Sequence, residues 1–386
     1  MTHDLHRPLG QHSGRARPRA VSAGLSRLAI GVAGLCLLAA STAVALRDNR
    51  FPEPAAAPSA ALPQPDAPPA GSSAPRGPTI TRMNGDAGVS VVEVSPFAVD
   101  EAYTGSIRVF EPGSLRQPAR MAHLPDQALL EFSAYGMLPR RSADGRRPLD
   151  VYAGASAAGR GTRVALVVGG LGISQTGTQA ALRLLPQGVT LAFAASGNSL
   201  DRWMQEARRN GHELLLQAPM EPFGYPNVSP GPGTLTAADA AAGDFENLHK
   251  ALARMTNYVG VMNFMGARLT AEAPAMENLL GELGRRGLLY VDDGSSARSI
   301  ARDVAMASRV PFATAEQTLD ATRDPQAIRA ELDRLERSAR AQGTAIGFAS
   351  AFDVSVETIA AWAGEAQARG IEIVPVSALA HDPETR

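Results

Sequence analysis

Gly211-His212-Glu213-Leu214-Leu215-Leu216-Gln217-Ala218-Pro219-Met220-Glu221-Pro222, continued by a loop that carries Pro226, Pro230, Gly231, Pro232 and Gly233, decides how this chain is read. Leu214 to Leu216 is a short apolar run of the kind a buried parallel strand needs. Pro219 and Pro222 lack a backbone N–H and are expected to end it as strand or helix. A loop that follows a buried strand in an α/β protein sits at the face where function gathers.

Working outward, the pattern repeats after residue 163. Strands are expected over 164–168, 189–193, 214–216, 259–262, 288–291, 310–313, 345–348 and 371–376. Helices are expected over 176–185, 200–210, 244–255, 276–286, 325–341 and 356–369. Strand and helix alternating at this spacing imply parallel pairing through right-handed crossovers. Such units can close into a barrel, and an open doubly wound sheet is the alternative. In a barrel, the loops at 169–172, 196–198, 217–221, 263–268, 292–296 and 350–353 share one mouth.

Five segments read together carry a resemblance. They are Val167-Val168-Gly169-Gly170-Leu171-Gly172, Gln217-Ala218-Pro219-Met220-Glu221-Pro222, Met262-Asn263-Phe264-Met265-Gly266-Ala267, Leu288-Leu289-Tyr290-Val291-Asp292-Asp293 and Ile373-Val374-Pro375-Val376-Ser377-Ala378-Leu379. This set resembles the divergent polysaccharide deacetylase family, bacterial envelope proteins related to the NodB-type carbohydrate esterases. The resemblance implies an α/β fold, a distorted (β/α) barrel of about seven parallel strands. It also implies an envelope carbohydrate as ligand, and zinc or another divalent metal in the ancestral site.

The departures from the family pattern bear on chemistry. Family members carry Asp-Asp-x-Gly, His-x-Pro-Met-Glu-Pro and Asn-Asn-His-Met-Gly-Ser, whereas this chain has Gly169, Gly170, Gln217 and Phe264 at the matching places. A metal-dependent deacetylase needs imidazoles and a carboxylate on the metal, with a base for the bound water. Glycine offers no side-chain ligand, phenylalanine none, and glutamine a poor one. No metal or other cofactor is therefore expected. Asp292 and Asp293, after a strand, are the catalytic candidates. Gly169, Gly170, Gln217, Glu221, Tyr225, Asn263, Phe264 and Arg268 are the cleft candidates. Phe223, Tyr225, Phe264 and Phe352 are placed to stack on sugar rings. His212 precedes its strand and is expected at the opposite end, and His249 on a polar helix is expected in solvent. Gly169-Gly170-Leu171-Gly172 has no Gly-Lys-Ser/Thr ending, which argues against a phosphate loop.

The rest of the chain sets the context. Residues 1–27 hold five arginines against one acid, Asp4, and residues 28–46 carry no charge. At ~1.5 Å per residue that run reaches about 28 Å, close to the ~30 Å hydrocarbon layer. A retained transmembrane anchor is expected, single-pass in the inner membrane, with the arginines cytoplasmic and the remainder periplasmic. A cleaved signal peptide ending near Ala43-Val44-Ala45 is the alternative. Residues 47–87 form a Pro/Ala-rich linker: between 51 and 78, nine of 28 residues are proline, which precludes a packed core. Residues 88–160 read as an irregular lead-in packed on the main domain at 161–386.

A net charge of -1 gives no basic excess for nucleic acid, and Cys36, the only cysteine, excludes an internal disulfide. Three readings stay open. One is a metal-site-degenerate protein that binds envelope carbohydrate or a periplasmic partner through the old cleft. The second is an active deacetylase with a rearranged site, and the third a scaffold with no small ligand.

Overall fold

The computed structural model describes residues 81–83, 91–93, 115–156 and 161–384. The expected anchor at 28–46, its basic flank and most of the linker lie outside these residues. Among the described residues, no helix is long and apolar enough to cross a membrane. The chain divides into two units, Met1–Gly105 and Ser106–Arg386. In the first, β1 (Thr81–Met83) pairs antiparallel with β2 (Val91–Glu93).

The second unit begins with an antiparallel hairpin, β3 (Leu130–Ser133) and β4 (Gly136–Pro139), and a single helical turn, α1 (Pro148–Val151). Alternation then sets in. β5 (Thr162–Leu171), α2 (Gln175–Leu184), β6 (Thr190–Ala194), α3 (Leu200–Arg209) and β7 (Leu214–Met220) lead to two short helices, α4 (Ala237–Ala242) and α5 (Glu246–Leu252). β8 (Gly260–Met265), α6 (Ala273–Arg286), β9 (Leu289–Asp292), α7 (Ala301–Ser308), β10 (Phe312–Thr314) and β11 (Gln317–Thr318) follow. The last elements are α8 (Pro325–Gln342), β12 (Thr344–Ser350), α9 (Asp353–Ala368) and β13 (Ile371–Val374).

Strand neighbours run β10-β9-β8-β7-β6-β5-β12-β11, with β13 added to β5, and every pair among them is parallel. β5 is long enough to serve two strands on one edge, β13 along its first half and β6 along its second. The result is a parallel α/β half-barrel. Between β10 and β11 the chain changes partner: the Ala315 N–H donates to the Asp292 carbonyl and the Glu316 N–H to that of Ile346.

Period-two alternation sorts the strands into two cores. Val164, Leu166 and Val168 of β5 face outward into the layer shared with the helices, where Leu182, Trp203 and Trp362 are buried. Ala165 and Val167 face inward and meet Leu215, Met262, Val291 and Ile346 in a second cluster. Leu129, Leu149, Val151 and Tyr152 of the lead-in enter that inner cluster. Beside it, Arg208 donates from Nη1 to the carbonyls of Tyr152 (2.8 Å) and His212 (3.0 Å).

Three sequence expectations need correction. β7 does not stop before Pro219 but runs to Met220. The Gln217 carbonyl faces β6, accepting from the Ala195 N–H, so the missing N–H of Pro219 points where β6 has already ended. The Pro219 carbonyl on that side accepts from Leu235 instead, at 2.9 Å. α4 and α7, given no helix in the sequence reading, are short alanine-rich helices. His249 is not a solvent side chain: its Nε2 lies 2.8 Å from Glu282 Oε1, and Tyr135 and Phe245 flank the ring.

Candidate functional site

A cleft of about 220 Å³ opens at the C-terminal ends of the strands. β5 contributes Gly169 and Gly170, β7 Gln217, β8 Phe264 and Met265, and β12 Phe348 and Ser350, while Asp293 and Ser295 follow β9. Alternation explains this membership. Gly169, Gln217 and Phe348 each sit two residues beyond an inward-facing Val167, Leu215 or Ile346.

The floor is tightly organised. Gln217 is buried, and its Oε1 accepts from the Gly170 N–H at 2.9 Å. A Cβ at Gly169 would lie 2.7 Å from Phe348 Cε2 and 3.1 Å from Gln217 Nε2, so the phenylalanine ring occupies the space a side chain there needs. Gly170, at φ +78°, borders open space. Phe264 is 41 % exposed, and its ring forms part of the mouth.

Among the described residues, Asp293 is the only carboxylate lining this cleft. Its backbone N–H donates to Asn263 Oδ1 (2.8 Å), and its Oδ1 accepts from the Ser295 N–H (2.9 Å). Burial pushes its carboxyl above the ordinary value, with the Asp292 charge adding to the rise and hydrogen bonds from Ser295 and Asn263 opposing it. A raised folded-state value means that this group's contribution is fully present below the unfolded pKa and is lost as pH rises through the folded one. Asp293→Asn is therefore expected to raise the melting temperature at neutral pH, the gain vanishing below pH ~3.9. Equal gains at both pH values in paired melts would refute that assignment.

The other sequence candidates fall around the cleft rather than in it. Asn263 braces from behind, donating from Nδ2 to the Met265 carbonyl at 2.7 Å, where the backbone turns left-handed at φ 59°. Asp292 turns the opposite way, accepting from the Gly294 N–H and from Ser299 Oγ, and lines a separate pocket with Arg302 and Thr314. Glu221 accepts from the Ala237 N–H (2.7 Å) at the start of α4 and pairs with Arg268 Nε at 3.4 Å. Tyr225 lies exposed on the proline loop. His212 is buried at the far end, with Nδ1 3.1 Å from the Val189 carbonyl. Sequence reasoning placed Met265, Ser295 and Ser350 in the mouth loops without singling them out, and missed Phe348 altogether.

The donor set does not suit a divalent metal. One carboxylate, two serines and an amide whose oxygen is already engaged lack the imidazoles that zinc sites use. Among the described residues, no group of three His, Cys, Asp or Glu side chains comes together to hold an ion.

The sequence over residues 166–380 matches the divergent polysaccharide deacetylase family, and the chain belongs to it. The crystal structure of uncharacterized protein ATU2773 from Agrobacterium tumefaciens C58 is 56 % identical, with a TM-score of 0.62 over 63 % of this chain and 99 % of that one. An uncharacterized protein of Haemophilus influenzae is 25 % identical over 167 residues, covering 43 % of this chain and 59 % of its own length. Uncharacterized protein YibQ of Escherichia coli is 21 % identical over 176 residues, covering 45 % and 54 % respectively. The match thus spans somewhat over half the length of these two relatives.

Proposed function

We propose that this protein binds envelope carbohydrate in the cleft and no longer performs the metal-dependent deacetylation that its family name describes. The observation that carries the reading is the replacement of metal donors by a binding surface. Where the family pattern places acids and histidines stand Gly169, Gly170, Gln217 and Phe264, with the Phe348 ring packed into the space beside Gly169. An exposed aromatic ring beside hydrogen-bonding groups is what a sugar needs, because its C–H face stacks while its hydroxyl and acetamido groups bond laterally. Phe264 supplies the ring. Asp293, Ser295 and Ser350 supply the polar groups.

The reading includes placement. The half-barrel is taken as a distorted NodB-like barrel of about seven strands, counting β10 and β11 as one station. Residues 28–46 anchor the chain in the inner membrane, and the Pro/Ala-rich linker holds the domain in the periplasm. A second reading, an enzyme with a rearranged site, is favoured by the elevated pKa of Asp293 within the cleft, a property shared by general acids.

One experiment separates the two. Full-length protein in detergent is mixed with N-acetylated chitooligosaccharides, and binding and acetate release are followed together. Binding without acetate, weakened roughly 10-fold by Phe264→Ala, is expected, since loss of one stacking contact is worth about 1 kcal/mol or more. Acetate release that disappears in Asp293→Asn would replace this reading with the enzymatic one.

A further inference from the structure

Two arginines on loops next to the cleft residues each lie over a phenylalanine ring. The Arg298 guanidinium, on the loop after β9, lies 5.4 Å from the ring centroid of Phe223 on the loop after β7. That of Arg323, after β11, lies 3.6 Å from the ring of Phe352, after β12. Both arginines are exposed, and so are their rings, Phe223 by 47 % and Phe352 by 36 %. These loops flank the cleft residues Ser295 and Ser350, so the pairs sit on its rim.

Stacking engages the face of a guanidinium and leaves its in-plane fork of N–H donors free. That fork matches a carboxylate in bidentate geometry. Among the described residues, neither Arg298 nor Arg323 has an acid within ion-pairing distance. Most acids on the neighbouring loops are turned to internal partners. Asp320 accepts from the Ser350 N–H and from Ser355 Oγ, both at 2.8 Å. Asp324 caps α8 through the N–H groups of Gln326 and Ala327. Asp292 and Glu221 are held as described above. Glu272 before α6, Asp303 in the first turn of α7, Asp324 at the start of α8 and Asp353 in the first turn of α9 are exposed acids on or beside these loops, and none of them pairs with Arg298 or Arg323. Against them stand the two stacked arginines and Arg268, already paired with Glu221.

We propose that the cleft takes a glycan bearing carboxylate groups: the sugar rests on the exposed rings while its carboxylates fill the forks of Arg298 and Arg323. This rests on the carbohydrate-binding reading above and adds the charge of the ligand to it. An acidic peptide would satisfy the forks but leaves the paired, flat aromatic surfaces without a role, so the glycan is the better occupant.

The test uses full-length protein and two oligosaccharides of equal length. One alternates N-acetylglucosamine with glucuronate, and the other is its carboxyl-reduced derivative. By isothermal titration at low salt, the acidic form is expected to bind ~10-fold tighter, a preference that fades as salt screens the rim. Arg298→Gln with Arg323→Gln should abolish the preference, the acidic form falling ~10-fold in affinity to bind no better than the reduced one. Arg→Lys at both positions keeps the charge but not the fork, and should restore only part of it. Equal binding of both forms to the parent overturns the inference and leaves carbohydrate binding standing. Binding of neither overturns both. Displacement of the acidic sugar by an oligoglutamate of equal charge, at equal concentration, also overturns it, because the rim would then read charge without sugar.

Discussion

Glu213→Ala is expected to remove roughly 3 to 5 kcal/mol from the stability of the domain, because it strands several buried donors at once. Glu213 is fully buried where β7 begins, and it ties three distant parts of the chain to one carboxylate. It accepts from the Gly154 N–H of the lead-in (2.8 Å), from Thr190 Oγ1 at the start of β6 (3.3 Å), and from the Ser377 N–H (3.0 Å) and Oγ after β13. Alanine would leave the Gly154 and Ser377 amides unpaired in an apolar setting, each at about 1 to 3 kcal/mol. Glu213→Gln keeps one acceptor oxygen and brings an NH₂ group among donors, so its cost should be smaller but measurable. Urea unfolding of the parent and both variants checks the ranking. A loss under ~1 kcal/mol for the alanine variant would mean that the lead-in and the C-terminal segment are not held through this group.

Legibility followed the strand period. Val164, Leu214 and Leu289 announced their strands because buried parallel strands are apolar on both faces, and the intervening helices carried their own periodicity. α4 and α7 were missed because their alanines mark no stripe. Pro219 misled because its lost N–H matters only when a neighbouring strand is there to accept it. For the site, the same period separated residues that the motif alone treats as equals. Val291 faces inward, so Asp292 must face out and Asp293 in. Ile346 faces inward, so Phe348 does too. What no local pattern could supply is the contact between Phe348 and Gly169, since it joins two strands about 180 residues apart in sequence.

That contact governs the second large effect. Restoring the family's ligand types requires Gly169→Asp, Gly170→Asp, Gln217→His and Phe264→His, which would bring carboxylates and imidazoles to one mouth. The four changes alone are expected to fail. A Cβ at residue 169 would lie 2.7 Å from Phe348 Cε2, closer than real side chains approach, and overpacking of this kind costs roughly 1 to 3 kcal/mol. Residue 170 has room but sits at φ +78°, where an L-residue adds about 1 to 2 kcal/mol of backbone strain. Phe348→Ala should therefore be the fifth change. In its presence Gly169→Asp is expected to cost less than in the parent, with a coupling on the order of 1 to 2 kcal/mol in a double-mutant cycle of urea midpoints. Zinc affinity should then appear in the five-fold variant and not in the four-fold one. Esterase activity should lag behind, because partners that orient the imidazoles are missing and their loss commonly weakens metal binding roughly 10- to 100-fold. Strictly additive effects of Gly169→Asp and Phe348→Ala would show that the ring does not fill the ligand position. Zinc binding by the four-fold variant as tight as by the five-fold one would show the same, and the loss of metal chemistry would then rest on the four ligand positions alone.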